Sequence, residues 1–286
     1  MGDHSNHHVE VESSLKRIID DVAMGLIAGF TLVAVLFLLV PVAMSVVMSF
    51  DARGFLGPFP PPSFSFRWYQ KLFSTEYITN GMKTSILVGI IATSMSAILG
   101  LLTALGISKS KRHQAVLLSL FLSPLMVPGV VVGFSLLLFF SSLDLRSGFI
   151  RLCAGHLLIT LPYTVRATLA SLEGISPSLL EAAQSLGATE RRAFLDITFP
   201  LAKTGIIAGA VFALAYSMDD VAVSIFLTDP DSQTLPIVLA SMMRSDFDLS
   251  IAAAAVVFIG FTMGLVLVLD HMIGLDRIIG RGIYRA

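Results

Sequence analysis

Apolar stretches long enough to cross a bilayer recur along almost the whole of this 286-residue chain. A hydrocarbon core about 30 Å thick takes about 20 helical residues per crossing. Within it every backbone N–H and C=O has to be satisfied by the protein, which leaves helical bundles and closed barrels. Runs of this length read as helices. Six are expected, at 23–50, 83–108, 115–143, 149–170, 201–227 and 249–275, giving an all-α membrane protein.

The chain is 55% hydrophobic and 14% charged, with mean hydropathy +0.83, against about 25% charged in a typical soluble domain. No room is left for a large soluble domain. The expected division is a polar N-terminal tail (1–21), a transmembrane domain (22–275) and a C-terminal tail (276–286). The first apolar run is longer than a signal-peptide core and no small-residue cleavage site follows it, so it reads as an uncleaved anchor. His4, His7 and His8 in the tail would need an ordered scaffold to hold a metal, and a disordered polar tail is the simpler expectation. A net charge of −1 excludes a generally basic nucleic-acid binder. The single cysteine, Cys153, reads as a small hydrophobe in an apolar stretch.

Basic residues set the orientation. Lys16 and Arg17 precede the first span, "KSKRH" (109–113) joins spans two and three, and Arg166, Arg191, Arg192 and Lys203 surround the connector between spans four and five. Arg277, Arg281 and Arg285 follow the last span. By the positive-inside rule these faces, and both termini, are cytoplasmic. The outward loop 51–82 carries "FLGPFPPPS" (55–63), whose prolines forbid regular helix, and then Trp68 and Tyr69, suited to the membrane interface.

Three glycine pairs at a spacing of four, Gly25/Gly29, Gly205/Gly209 and Gly260/Gly264, allow close helix approach in a bundle. Pro124 and Pro128, followed by Gly129 and Gly133, mark the third span as kinked or broken; a pore-lining kink and a static bend are both compatible with that.

The connector 171–200 is more specific. Ser176 can N-cap a helix with Pro177 at its first position, and Gly187 supplies a left-handed stop, so a helix is expected over 177–186. A second should start after the cap Thr189 and end before Pro200. Ala182 and Ala183 let a partner approach the backbone, and Glu181 offers a charge at the edge.

This connector resembles the cytoplasmic signature of type I binding-protein-dependent ABC importer permeases: E-A-A, three residues, G, nine residues, I, one residue, L-P. The chain has Glu181, Ala182, Ala183, Gly187, Ile197 and Pro200 in register, with Phe199 where leucine is usual. The resemblance implies an elbow that docks into an ATPase subunit and couples its closure to transport. It also implies a homologous permease partner, two ATP-binding subunits that carry ATP and Mg²⁺, an extracytoplasmic solute-binding protein, and the cell inner membrane as location. Independently, no phosphate-cradling G-x-x-x-x-G-K-[ST] occurs, and the dipeptide Gly-Lys is absent, so this chain should hold no ATP in a P-loop.

The segments 64–73, 123–137, 161–188 and 216–244 look like the spermidine/putrescine branch, second-subunit type. There the fifth span reads S-x-D-[DE]-x-V and is followed by T-L-P; this chain has Ser217, Asp219 and Asp220 in register, with Val221 next to them, and then Thr234, Leu235 and Pro236. The chain departs from that branch in "DPD" (229–231) and "SDFDLSIAA" (245–253). A polyamine is the implied substrate, with other organic cations, opines or aminophosphonates as alternatives.

Asp219 and Asp220 interrupt an apolar run, "FALAYSMDDVAVSIFLT" (212–228). Intramembrane acids mark substrate paths by default. The competing readings are that Ser217 or Asp219 caps a broken half-helix, or that an Asp pairs with Arg151 or His156. A length of about 1.5 Å per residue from Leu201 puts the acids in the outer part of the membrane. A secondary transporter or channel would also explain acids and broken helices, but has no use for the elbow. A membrane hydrolase would need metal ligands or paired acids at workable spacing, and His113, His156 and His271 show no such grouping.

Overall fold

The computed structural model describes residues 4–245 and 247–273, with the side chains of 4–19, 21, 266 and 269–273 left aside. The helices are α1 (His4–Met48), α2 (Arg67–Ser74), α3 (Glu76–Lys109), α4 (Gln114–Leu122), α5 (Gly129–Ser142) and α6 (Gly148–Glu173). They continue as α7 (Pro177–Ser185), α8 (Glu190–Ala193), α9 (Phe199–Asp219), α10 (Ser224–Leu227), α11 (Leu235–Ser245) and α12 (Ser250–Ile273). Among the described residues the only β pairing is two isolated bridges, Asp51 with Phe64 and Asp229 with Ser232.

Among the described residues, four helical segments are long and apolar enough to cross a membrane: Val22–Met48, Glu76–Lys109, Gly148–Glu173 and Glu190–Asp219. The third expected span is broken between Pro124 and Pro128 as anticipated: Gln114–Met126 and Gly129–Ser142 meet at 97° and together make a fifth apolar segment, as one broken span or as a re-entrant loop. The sixth expected span corresponds to α12, 24 residues and hence about 36 Å long; its expected end at 274–275 and the C-terminal tail 276–286 lie outside the described residues. The N-terminal tail departs from the expectation of disorder, because α1 begins at His4.

The bundle is centred on α3, α6 and α9, which pack on one another. Small and hydroxyl side chains let them approach. Thr164 Oγ1 bonds Ser96 Oγ at 2.9 Å and its carbonyl at 2.8 Å, tying α3 to α6. A Cβ on Gly209 would lie 2.8 Å from Thr164 Cα, and one on Gly205 2.6 Å from the Ala167 carbonyl oxygen. This glycine pair therefore seats α9 on α6. The other two pairs do no such work inside the chain, since a Cβ on Gly25, Gly29, Gly260 or Gly264 meets nothing within 4 Å.

At the end opposite the elbow, the residues after α1 form a clasp. Asp51 is fully buried and accepts from Arg53 Nε at 3.0 and 2.8 Å; Arg53 also reaches the Pro58 carbonyl at 2.9 Å. Trp68 does not sit at a lipid interface: it is 4% exposed, packs with Met48, Leu249 and Ala253, and donates from Nε1 to the Asp51 carbonyl at 2.7 Å. The indole N–H takes this partner because a buried donor without one is costly. The Arg53 side chain holds the Asp51 carboxyl below its ordinary 3.8, against the opposing effect of burial.

A depressed carboxyl contributes its stability in full above the unfolded value near 3.8, and that contribution is lost as pH falls through the lower folded value. Trp68 is the only tryptophan, so its fluorescence reports the clasp. We expect a red shift only below about pH 3.8, and a shift of that midpoint to higher pH in Arg53→Gln. An unchanged midpoint in the variant would show that Arg53 does not hold the clasp.

Candidate functional site

Two regions hold the residues singled out by the sequence. The first is the elbow. Ser176 has the extended backbone of an N-cap and Pro177 opens α7, yet the Ser176 hydroxyl bonds Ser178 Oγ at 2.7 Å instead of a backbone N–H. The C-terminal stop forms as expected. Gly187 has φ +88°, its N–H donates to Gln184 O at 2.9 Å, and Ala188 N–H donates to Ala183 O at 3.0 Å. This paired closure needs a left-handed residue, which glycine adopts without steric penalty. Thr189 then caps α8, its hydroxyl accepting from Arg192 N–H at 3.3 Å.

The second elbow helix does not end before Pro200. It runs on without a break as Glu190–Asp219, with Pro200 in the first turn of α9. A proline inside a helix lacks an N–H and crowds the carbonyl four residues back. Here residues Phe194–Thr198 form a π-helical turn just before it, whose longer hydrogen-bonding step accommodates that crowding.

Around a hollow of about 280 Å³ the fold assembles Ala183, Gly187 and Ile197 with Ala188 and Ala193. Glu181 and Ala182 are exposed on α7, and Leu186 at its tip is 90% exposed. Leu186 thus stands fully exposed beside a turn of small residues. Pro200 stands apart from the hollow, at the start of the membrane rod.

The second region is the end of α9. The expected fifth span does not continue to Leu227. It stops at Asp219, Asp220 is extended (φ −68°, ψ 123°), and α10 starts at Ser224. The two acids then take different roles. Asp220 is buried, accepts from the N–H of Val223 at 3.3 Å and of Ser224 at 2.8 Å, and accepts the Ser224 hydroxyl at 2.8 Å. Asp220, not Asp219 or Ser217, caps the half-helix.

His156, 1% exposed on α6, completes the network: Nδ1 lies 2.7 Å from Ser217 Oγ and Nε2 2.9 Å from Ser224 Oγ. Ser224 donates its hydrogen to the Asp220 carboxylate, so Ser224 Oγ accepts from His156 Nε2–H, while Nδ1 faces the Ser217 hydroxyl. Asp220 Oδ2 is 3.9 Å from Nε2. Arg151, the other considered partner, reaches the Thr228 carbonyl at 3.5 Å instead.

Asp219 is exposed. On the same face of α9, at helical spacing, stand Tyr216 and Phe212, 38% and 62% exposed. Tyr163 of α6 stacks on Tyr216 with centroids 5.0 Å apart. The result is a carboxylate at one end of an aromatic face. Sequence reasoning missed the tyrosines; their one signal was the i, i+4, i+7 spacing of Phe212, Tyr216 and Asp219, and Tyr163 joins them only through the packing of α6 on α9. It also missed Asp229, whose Oδ2 accepts the Gly148 N–H at 2.5 Å and so caps α6 from the "DPD" loop. No cluster of three or more potential metal ligands occurs among the described residues.

Comparison with known proteins agrees with this architecture. The chain is 28% identical over 255 residues to the spermidine/putrescine transport system permease protein PotC of Shigella flexneri, covering 89% of this chain and 96% of that protein. It is 29% identical over 243 residues to the putrescine transport system permease protein PotI of Escherichia coli (strain K12), covering 82% and 84%. A chain of the bacterial alginate ABC transporter, solved in complex with an alginate pentasaccharide-bound periplasmic protein, shares the fold with a TM-score of 0.70 at 19% identity, over 91% of this chain and 96% of that one. Residues 96–275, well over half the chain and containing both the elbow and the α9 break, match the family of binding-protein-dependent transport system inner membrane components. The chain belongs to that family: it is a multi-pass inner-membrane permease of the type I ABC importer fold, a transport subunit and not an enzyme.

Proposed function

We propose that this permease passes a polyamine of the spermidine/putrescine type, delivered by an extracytoplasmic solute-binding protein and driven by ATP hydrolysed on partner subunits. Two ATP-binding subunits and a homologous permease complete the assembly. The elbow and both termini face the cytoplasm. Glu181, Ala182, Ala183 and Gly187 enter the ATPase cleft, Ile197 backs them, and Pro200 marks where the elbow passes into the membrane rod.

The observation that carries the substrate reading is the exposed Asp219. An acid that faces lipid carries an insertion cost, which reaches about 2.5–3.5 kcal/mol at the centre of a span. A polar path shared with the partner permease removes that cost. Ammonium groups suit such a path, since Asp219 attracts them and the Tyr216 and Phe212 faces offer cation–π contact without tight binding. The names of the PotC and PotI relatives point to the same substrate class.

Uptake of labelled spermidine and putrescine by the assembled transporter tests this. Asp219→Asn should raise KM about tenfold or more, the loss of a charge-assisted contact, with the amount of folded protein unchanged. Asp220→Asn should instead lower the amount of folded protein. Unchanged KM for every polyamine in Asp219→Asn removes Asp219 from the path.

A further inference from the structure

A second cavity, of about 740 Å³, opens where the elbow meets the bundle, on the bundle side of the smaller hollow and sharing Ala193 with it. Its wall is apolar, with Leu105 from α3, Leu172 from α6 and Phe194 from the elbow. Lys109, Lys111 and Arg191 also line it, with Glu190 the one acid. All three cations are exposed, and none forms an ion pair or hydrogen bond among the described residues; the neighbouring Arg192, by contrast, pairs with Asp196 at 3.4 Å.

Position adds the decisive constraint. Lys109 is the last residue of α3 and Leu172 lies one residue before the end of α6, so the cavity sits where two membrane-crossing helices leave the bilayer. An apolar wall that continues into the membrane, beneath an excess of unpaired cations, matches an amphiphile with an anionic head. Its volume falls within the range of about 300–1,000 Å³ typical of ligand sites.

We propose that this cavity binds an anionic phospholipid. The phosphate is held by Lys109, Lys111 and Arg191, and the first part of the acyl chains lies against Leu105, Leu172 and Phe194. Arg offers a bidentate fork to phosphate and Lys a mobile point charge. A zwitterionic lipid brings an ammonium that finds only Glu190 among these cations, so net negative charge is selected. Because the wall joins the ends of α3 and α6 to α7 and α8, the lipid ties the elbow to the bundle it moves.

The test uses the assembled transporter, stripped of lipid and returned to nanodiscs of phosphatidylcholine alone or with one-fifth phosphatidylglycerol, with bound lipid read by native mass spectrometry. Phosphatidylglycerol should be retained in preference to phosphatidylcholine. Each of Lys109→Gln, Lys111→Gln and Arg191→Gln should lower that retention about fivefold, the effect of one cation near an anionic surface. Arg112→Gln, an exposed cation in the same turn that does not line the cavity, should leave it unchanged. Equal retention of the two lipids overturns the proposal. So does an equal loss in Arg112→Gln and Lys111→Gln, which would reduce the effect to diffuse attraction. Lys111 lies in an exposed turn, so its variant carries the test alone if Arg191→Gln does not assemble.

Discussion

Gly187→Val is expected to reach the membrane in normal amount and to lose most transport. A Cβ at this position meets nothing within 4 Å, so no neighbour is displaced and the membrane core is untouched. The penalty is in the backbone. A side chain at φ +88° costs about 1–2 kcal/mol and more for a β-branched residue, which lowers the population of the formed α7 stop by roughly 5–30-fold. The hollow shared by Ala183, Gly187 and Ile197 then loses its shape. Gly187→Asn, which tolerates the left-handed region, should keep a substantial part of the activity. Uptake and ATPase co-purification measured together separate the cases: normal uptake in Gly187→Val would remove the elbow from the coupling role, and loss in both variants would mean that the partner needs the bare backbone.

Gly209→Leu is expected to abolish the folded bundle. Here the nearest atom belongs to backbone, Thr164 Cα at 2.8 Å from the position of a Cβ, followed by Ala167 Cβ at 3.2 Å, so α9 must move off α6 as a whole. Overpacking commonly costs about 1–3 kcal/mol where a side chain can yield, and backbone yields less. The contrast is Gly25→Leu, in a second glycine pair of the same spacing, whose Cβ meets nothing in this chain. Thermal melting of the purified chain should show a large loss for Gly209→Leu and none for Gly25→Leu. Equal melting temperatures would mean that the α6–α9 contact is not tight.

These two glycines mark how far the sequence could be read. Gly187 was legible because its role is local: a helix start, a small-residue run and a glycine together specify the stop, and hydrogen bonds within six residues carry it out. Gly209 was not distinguishable from Gly25 or Gly264, since a spacing of four says that a helix can pack closely and nothing about what it packs against. Trp68 shows the same division. Its amphipathic ring suited an interface, but Asp51 and Met48 lie seventeen and twenty residues away and only the folded clasp brings them to it.

The acid pair is the clearest case. The sequence by itself determined a helical membrane protein, the helix starts and stops of its elbow and the presence of carboxylates in an apolar run, because length, hydropathy and short-range spacing govern these; that it is a permease came from the resemblance of the elbow to a known family. It could not divide Asp219 from Asp220, since neighbours on a helix differ only in direction. The tertiary structure decided that division. α9 ends at Asp219, and His156 arrives from α6 between Ser217 and Ser224. That buried network can satisfy only the carboxylate aimed into it, so Asp220 becomes the cap of α10 and Asp219 is left exposed beside Tyr216, where a charge needs a polar path.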